Sequence, residues 1–248
     1  MTGPMTFTRV LLAVLLAVPA APSGGVPWDK KPEQWDQADA YKILRDSPWT
    51  PAEIKLESNY TDRRTDPQSG IVTNSPLNPE NTGRARGIEI SHNKALPAVA
   101  VLWWSAKVVR LAKQRLAQLR NSGAKTEALH ADALPDFVVA IEGSEQLRIL
   151  HDAKEDLHDT AFLELPDGLP LDLQTIQFVE GTEEEDTRVE FHFAREVNGS
   201  PSLSADAERV VFHCRATAKT QIHGEPNEIS LRAEFRPNRM RAQSQPDF

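Results

Sequence analysis

Cysteine occurs once in the chain, at Cys214, which excludes an internal disulfide and a thiolate metal cluster within one molecule. A lone cysteine of this kind is expected to be buried as a small apolar side chain. Long hydrophobic runs are also missing. Past residue 26 nothing approaches the ~20 apolar residues that a membrane-crossing helix needs. No Gly-x-Ser-x-Gly elbow, Gly-rich phosphate loop or His-Glu-x-x-His zinc motif occurs, so the common signatures of hydrolases, nucleotide binders and metalloproteases are absent. Positive charge is in the minority, with 28 Lys and Arg against 36 Asp and Glu. The resulting net charge of -8 argues against nucleic acid as a partner, because phosphate binding calls for a dominant basic surface.

What is present begins with a targeting signal. Arg9 precedes nine uncharged apolar residues, Val10 to Val18, and Val18-Pro-Ala20 supplies small residues of the kind a signal peptidase reads. This is the layout of a secretory signal over residues 1–20, with an uncleaved membrane anchor as the alternative. An apolar content of 40% supports a packed core in the remainder. Residues 21–53 read as a linker and N-terminal helical arm. Pro32 suits a first helical turn, Ala40, Ile43 and Leu44 share one side, and Asp46-Ser-Pro48 ends the helix. Trp35 and Trp49, near its ends, are expected to anchor it by packing. A single α+β domain is expected over 54–240, with a flexible loop at about 61–95 where periodicity gives way to Asn, Pro, Ser, Gly and Arg. Residues 241–248 remain as a tail.

The domain is organised around residues 99–120, VAVLWWSAKVVRLAKQRLAQLR. Val99, Val101 and Trp103 alternate with Ala100, Leu102 and Trp104, and apolar residues on both faces predict a central strand covered on both sides. After Ser105 an amphipathic helix places Val109, Ala112, Leu116 and Leu119 on one stripe, with Lys107, Arg110, Lys113, Arg115 and Arg120 elsewhere. Strand signals dominate downstream, at 137–142, 160–165, 174–179, 188–194, 208–216 and 228–236, after an earlier one at 54–60. A helix over 144–157, capped by Ser144, interrupts them. Over 188–194, Val189, Phe191 and Phe193 read inward, and Arg188, Glu190 and His192 outward. Short connections favour antiparallel pairing.

Candidate chemistry is sparse. Seven histidines are the obvious metal candidates. His151 and His158 on one helix would stand two turns, about 10.5 Å, apart, too far to share a zinc. Their neighbours Asp152, Glu155, Asp156 and Asp159 read as a solvated acidic helix end. His192 and His213 fall at outward positions of strands read as neighbours, yet two ligands without a third make a poor metal site. Ser144 follows Gly143 and a strand but lacks the second glycine of a nucleophile elbow. No catalytic, cofactor-binding or metal-binding residue is therefore assigned. Charge is segregated: residues 90–126 hold seven Lys or Arg and no acid, whereas residues 127–208 hold 21 acids against four bases. The basic helix is expected to pair with acidic strand edges of its own fold, an anionic bilayer surface being the alternative.

One ordered set of residues resembles a known family. It comprises Trp35 to Tyr41 before Ser47-Pro-Trp49, Trp103-Trp-Ser-Ala106, FVVAIEG at 137–143, Phe191-His-Phe-Ala-Arg195, Asp206-Ala-Glu-Arg-Val-Val-Phe212, and Phe235 to Met240. Over roughly residues 32–240 the chain is similar to an uncharacterised family of exported bacterial proteins, related to those with a domain named for a Gly-Trp-x-Thr-Asp motif. That motif itself is absent here. The resemblance implies export and one continuous core, and no chemistry.

Together these features predict an α+β fold, mainly antiparallel β-sheet or a two-sheet sandwich, with one packed amphipathic helix and an N-terminal helical arm. The protein is expected to be periplasmic or extracellular after cleavage near Ala20. Its expected role is a non-enzymatic binding or accessory module of the cell envelope, using strand edges to meet a protein or other envelope component, with no cofactor. Two alternatives stay open. One is a hydrolase-type enzyme assembled from scattered residues such as His151, Asp152 and His192; the other is membrane-surface association through helix 105–120.

Overall fold

The computed structural model describes residues 25–58, 61–65, 72–76, 100–121, 128–142, 150–151, 153–182, 187–222 and 225–248. The predicted signal segment, Ser144, Asp152 and most of the 61–95 loop lie outside these residues. Two helices of more than one turn are described, α1 (Gln37–Arg45) and α2 (Lys107–Arg120), with a single helical turn α3 (Leu157–Thr160). The main strands are β1 (Glu53–Ser58), β4 (Ala100–Trp103), β5 (Phe137–Glu142), β6 (Ala161–Glu164), β7 (Pro170–Val179), β8 (Arg188–Phe193), β11 (Val210–Ile222) and β12 (Glu225–Phe235). Three small hairpins complete the set: β2 (Thr61–Thr65) with β3 (Val72–Pro76), β9 (Glu196–Val197) with β10 (Ser200–Pro201), and β13 (Arg241–Ala242) with β14 (Gln245–Pro246).

The eight main strands form one antiparallel sheet in the order β1-β12-β11-β6-β7-β8-β5-β4, curled into a half-barrel. The expected sheet-dominated α+β fold is therefore present, as one curled sheet. β7 makes the bend. Its first residues, Pro170 to Asp172, pair with β6, the stretch from Leu173 to Val179 pairs with β8, and the register shifts between Leu173 and Thr175.

Strand alternation sends one face of every strand inward. Paired positions Phe137 and Phe193, Val139 and Phe191, and Ile141 and Val189 continue through Leu163 and Phe212 to Ala233. Phe191, Phe193, Phe212 and Phe235 are fully buried, and Phe212 meets both Phe191 and Phe193 edge-on, at centroid distances of 5.0 and 6.2 Å. The interior is filled with rings.

β4 corrects the expectation of a central strand. It is buried on both faces, as its composition requires, but it ends the sheet. Its faces are covered by the interior on one side and the helical layer on the other. Its edge is closed by the chain itself, because Trp103 N donates to Trp49 O at 2.9 Å. From Trp49 the chain runs directly to the opposite edge, where Ala52 N donates to Glu234 O and β1 pairs with β12. The side chain of Trp103 completes the closure by packing edge-on against Phe235 of β12, 5.2 Å between centroids.

The N-terminal arm lies on α2. Ala40, Ile43 and Leu44 are buried, Arg115 Nε donates to Trp35 O, and Trp35 and Trp49 are the anchors expected. The helix start differs from expectation. Pro32 opens a separate 3-10 turn, Pro32–Gln34, and α1 begins after Asp36, whose carboxylate accepts from Asp39 N and so takes one of the unpaired amide hydrogens of the first turn. α2 also starts later than Ser105. Its N-cap position is Ala106, with no side-chain cap of its own and no acid in its first turn. The missing cap comes from residues 241–248, read from the sequence as a tail: Asp247 accepts from Lys107 N at 2.8 Å and from Val108 N at 2.9 Å.

The β13–β14 turn carries a local cost. Gln243 and Ser244 have φ of 49° and 65°, where a Cβ crowds the backbone, while the corresponding β9–β10 turn uses Asn198 and Gly199. Replacing Ser244 by Gly is expected to raise stability by about 0.5–1 kcal/mol, seen as a higher urea midpoint at unchanged slope.

Candidate functional site

Polar side chains gather at two places on the outer face of the sheet. The first lies under α2, on β5 and β8. Lys113 Nζ donates to Glu142 Oε2 at 2.6 Å and Arg188 Nε to Glu190 Oε1 at 2.6 Å, while the Arg188 guanidinium sits 4.3 Å from the Trp104 ring centroid. His192 Nδ1 is 3.3 Å from Asp136 Oδ2. Its Nε2 is 3.4 Å from Glu190 Oε2 without hydrogen-bond geometry. Glu142, Glu190 and His192 are only 5%, 6% and 9% exposed; Glu190 and His192 keep the outward position read from strand alternation, but the exposure expected of His192 is absent. α2 covers this half of the sheet, so the outward face is interior too.

Two further guanidiniums border this layer. Arg110 donates to Ser105 O and Asp132 O, and Arg195 Nε to Leu134 O, with its charge 4.5 Å from the Phe137 centroid. Burial lowers the pKa of both, against the opposing pull of Asp247 and Asp132 on Arg110 and of Asp136 and Asp247 on Arg195. The layer thus contains an imidazole oriented by a carboxylate, and near it the hydroxyl of Ser105. That hydroxyl is 3% exposed and makes no hydrogen bond to the imidazole or any other described group. The arrangement does what buried, paired charges do, which is to oppose any change of strand register or helix position that would part them.

The second place is the outer face of β6, β11 and β12. Here the His213 ring stacks on Phe162, 4.6 Å between centroids and 11° between planes, and Nε2 lies 3.0 Å from Glu164 Oε2. Arg209 spans the strands, 3.3 Å from Glu164 and 3.0 Å from Glu234, above a fully buried Val211. Beside this stack opens a groove of about 260 Å³, lined by Thr160, Phe162, His213, Cys214, Arg215, Ser230 and Leu231. Glu164 and His213 supply two metal-ligand types, and among the described residues no group of three or more His, Cys, Asp or Glu is placed to hold a metal ion.

The histidines singled out by sequence are dispersed. β8 and β11 are not neighbours, since β7 and β6 lie between them, so His192 and His213 are separated by two intervening strands and by an offset of three residues along β7. His151 packs edge-on against Phe178, whose partner Val189 faces the interior, whereas His192 is on the outer face. The fold does not bring His151 and His192 together. Of the α2 cations, Arg110, Lys113 and Arg115 bind groups of this chain, Lys113 through the downstream acid Glu142 as expected, while Lys107 and Arg120 are exposed. Among the described residues no helix is long and apolar enough to cross a membrane.

Phe162, Glu164, Arg209 and Glu234 escape sequence reasoning. The available signal was Phe162, an aromatic residue at an outward position of β6 between the inward Ala161 and Leu163. No known protein family, curated protein or solved structure matches the chain.

Two outcomes follow from these environments. Lys113→Met removes the 2.6 Å cationic partner of the buried Glu142 and is expected to cost about 1.5–3 kcal/mol, the scale of a hydrogen bond to a charged group, with part of the loss recovered in Lys113→Met/Glu142→Leu. Burial pushes the Cys214 thiol up to about 12 from 9.0, so the folded state resists thiolate formation that the unfolded chain allows. Stability from this residue is complete below pH 9 and is lost as pH rises toward 12. Urea titrations should show wild type falling faster than Cys214→Ala across that window.

Proposed function

We propose that this is an exported, non-enzymatic binding or accessory module of the cell envelope, and that it meets its partner with the outer face of β6, β11 and β12. The observation that carries this reading is how the sheet surface is divided. The interior is filled by aromatic side chains, and the α2-covered half is sealed over its buried ion pairs. The third surface holds a groove, a half-exposed aromatic stack and ionic groups within reach of solvent. A rigid sheet carrying an aromatic anchor beside charges is the composition expected of a contact patch. Kinship with the exported bacterial family, secretion by the 1–20 signal and a periplasmic or extracellular location belong to the same proposal.

The test is capture by the immobilised full chain from envelope extracts, with wild type compared to Phe162→Ala/His213→Ala. Both side chains lie on the outer face, so the variant should keep the wild-type circular dichroism while losing at least about tenfold in retained partner, the scale of a hot-spot truncation. Undiminished capture by the folded variant would place the contact elsewhere. Export is tested separately: Leu12→Arg should retain the chain in the cytoplasm, and unchanged fractionation would remove the envelope from the proposal.

A further inference from the structure

Helix α2 has a docking seat for a segment that comes from 140 residues away. Its own N-cap offers no side-chain acceptor, and the amides of Lys107 and Val108 are taken by the Asp247 carboxylate. The same residue accepts through its carbonyl oxygen from Trp49 Nε1, and Phe248 stacks on Phe137, 5.7 Å between centroids and 23° between planes. Arg110 and Arg195 each interact electrostatically with Asp247 from positions where burial has partly desolvated them. Carboxylate, carbonyl and ring therefore each have a partner on the body of the fold.

The hinge that delivers this segment is poorly suited to its conformation. Gln243 and Ser244 are exposed and occupy the left-handed region without glycine or asparagine, in a turn between strands of two residues each. A short hinge under strain, joined to an element whose contacts could be met equally by another copy, is the combination that favours segment exchange. We propose that residues 245–248 exchange between two copies of this chain, Asp247 of each copy capping α2 of the other and its Phe248 stacking on the other's Phe137. Opening the hinge releases the left-handed turn, and every docking contact is made again across the twofold. At low concentration the tethered segment seats on its own body; at high concentration the exchanged dimer forms.

Ser244→Pro tests this directly. Proline fixes φ near -65° and disfavours the observed conformation of the residue before it, so the closed turn is lost while the extended arm is allowed. Sedimentation equilibrium of full-length Ser244→Pro should show a dimer at concentrations where wild type is monomeric. Adding Asp247→Ala should return it to monomer. A folded but monomeric Ser244→Pro, judged by a wild-type near-ultraviolet spectrum, would overturn the proposal. So would a dimer that survives Asp247→Ala, since the contact would then lie on another surface. Should Ser244→Pro not fold, wild-type chain refolded from urea at high concentration gives the same reading: a trapped dimer absent from Asp247→Ala supports exchange, and monomer alone excludes it.

Discussion

The contact on which the fold depends is made by Trp103 where the two ends of the sheet approach each other. Its backbone amide donates to Trp49, its ring packs edge-on against Phe235 at the far end of the strand order, and its other flank meets Phe137 at 5.9 Å. A curled sheet of eight strands still has two edges, and exposed edges invite pairing with other chains. Here the β4 edge is met by a segment that continues into the opposite edge strand. Closure is thus achieved by a tryptophan and one connecting stretch instead of by a continuous ladder. Loss of that ring would open the interior at its seam.

Closure also divides the outer surface. Once α2 is laid over β4 and β5, the charged residues of β5 and β8 lose water and must pair, which they do as Lys113 with Glu142 and Arg188 with Glu190. In the far half of the sheet only the single turn α3, among the described helices, contacts β6, β7 and β11, and the charged residues there make longer, partly solvated contacts. Exposed pairs of this kind add little stability, typically less than about 1 kcal/mol, so they are free to be rearranged by a ligand. Similar residue types serve rigidity on one side and contact on the other. Burial makes the difference.

Much of the fold was legible in the sequence. Alternation marked the strands, short connections implied antiparallel pairing, and the stripe Ala40, Ile43, Leu44 marked the buried side of α1. What periodicity cannot supply is the order of strands. The two apolar faces of β4 announce burial, and a central position is the simplest way to bury both, although a chain segment and a helical layer bury an edge equally well. Glu190 and His192 obeyed the alternation and still ended inside, because a charge can be buried when its partner is brought by another element. The cap of α2 was invisible for a related reason: the acceptor is 140 residues from the amide it serves. The readable clue was negative, an Ala at the cap position with no acid in the next turn. The candidate contact face was the least legible part, since Phe162, Glu164, Arg209 and Glu234 come from three strands whose adjacency no local pattern encodes.

The pairing of β1 with β12 sets the time at which the molecule can exist. Residues 53–58 find their partners at 229–234, and the indole N–H of Trp49 finds its acceptor at Asp247. Contacts so distant in sequence must await the synthesis of residues 229–234 and then close a long loop, which makes folding slow by comparison with helical proteins of similar size. During synthesis the early strand therefore remains without a place to go. A chain built this way cannot complete its sheet until residue 234 has been made, however early its first strand is ready.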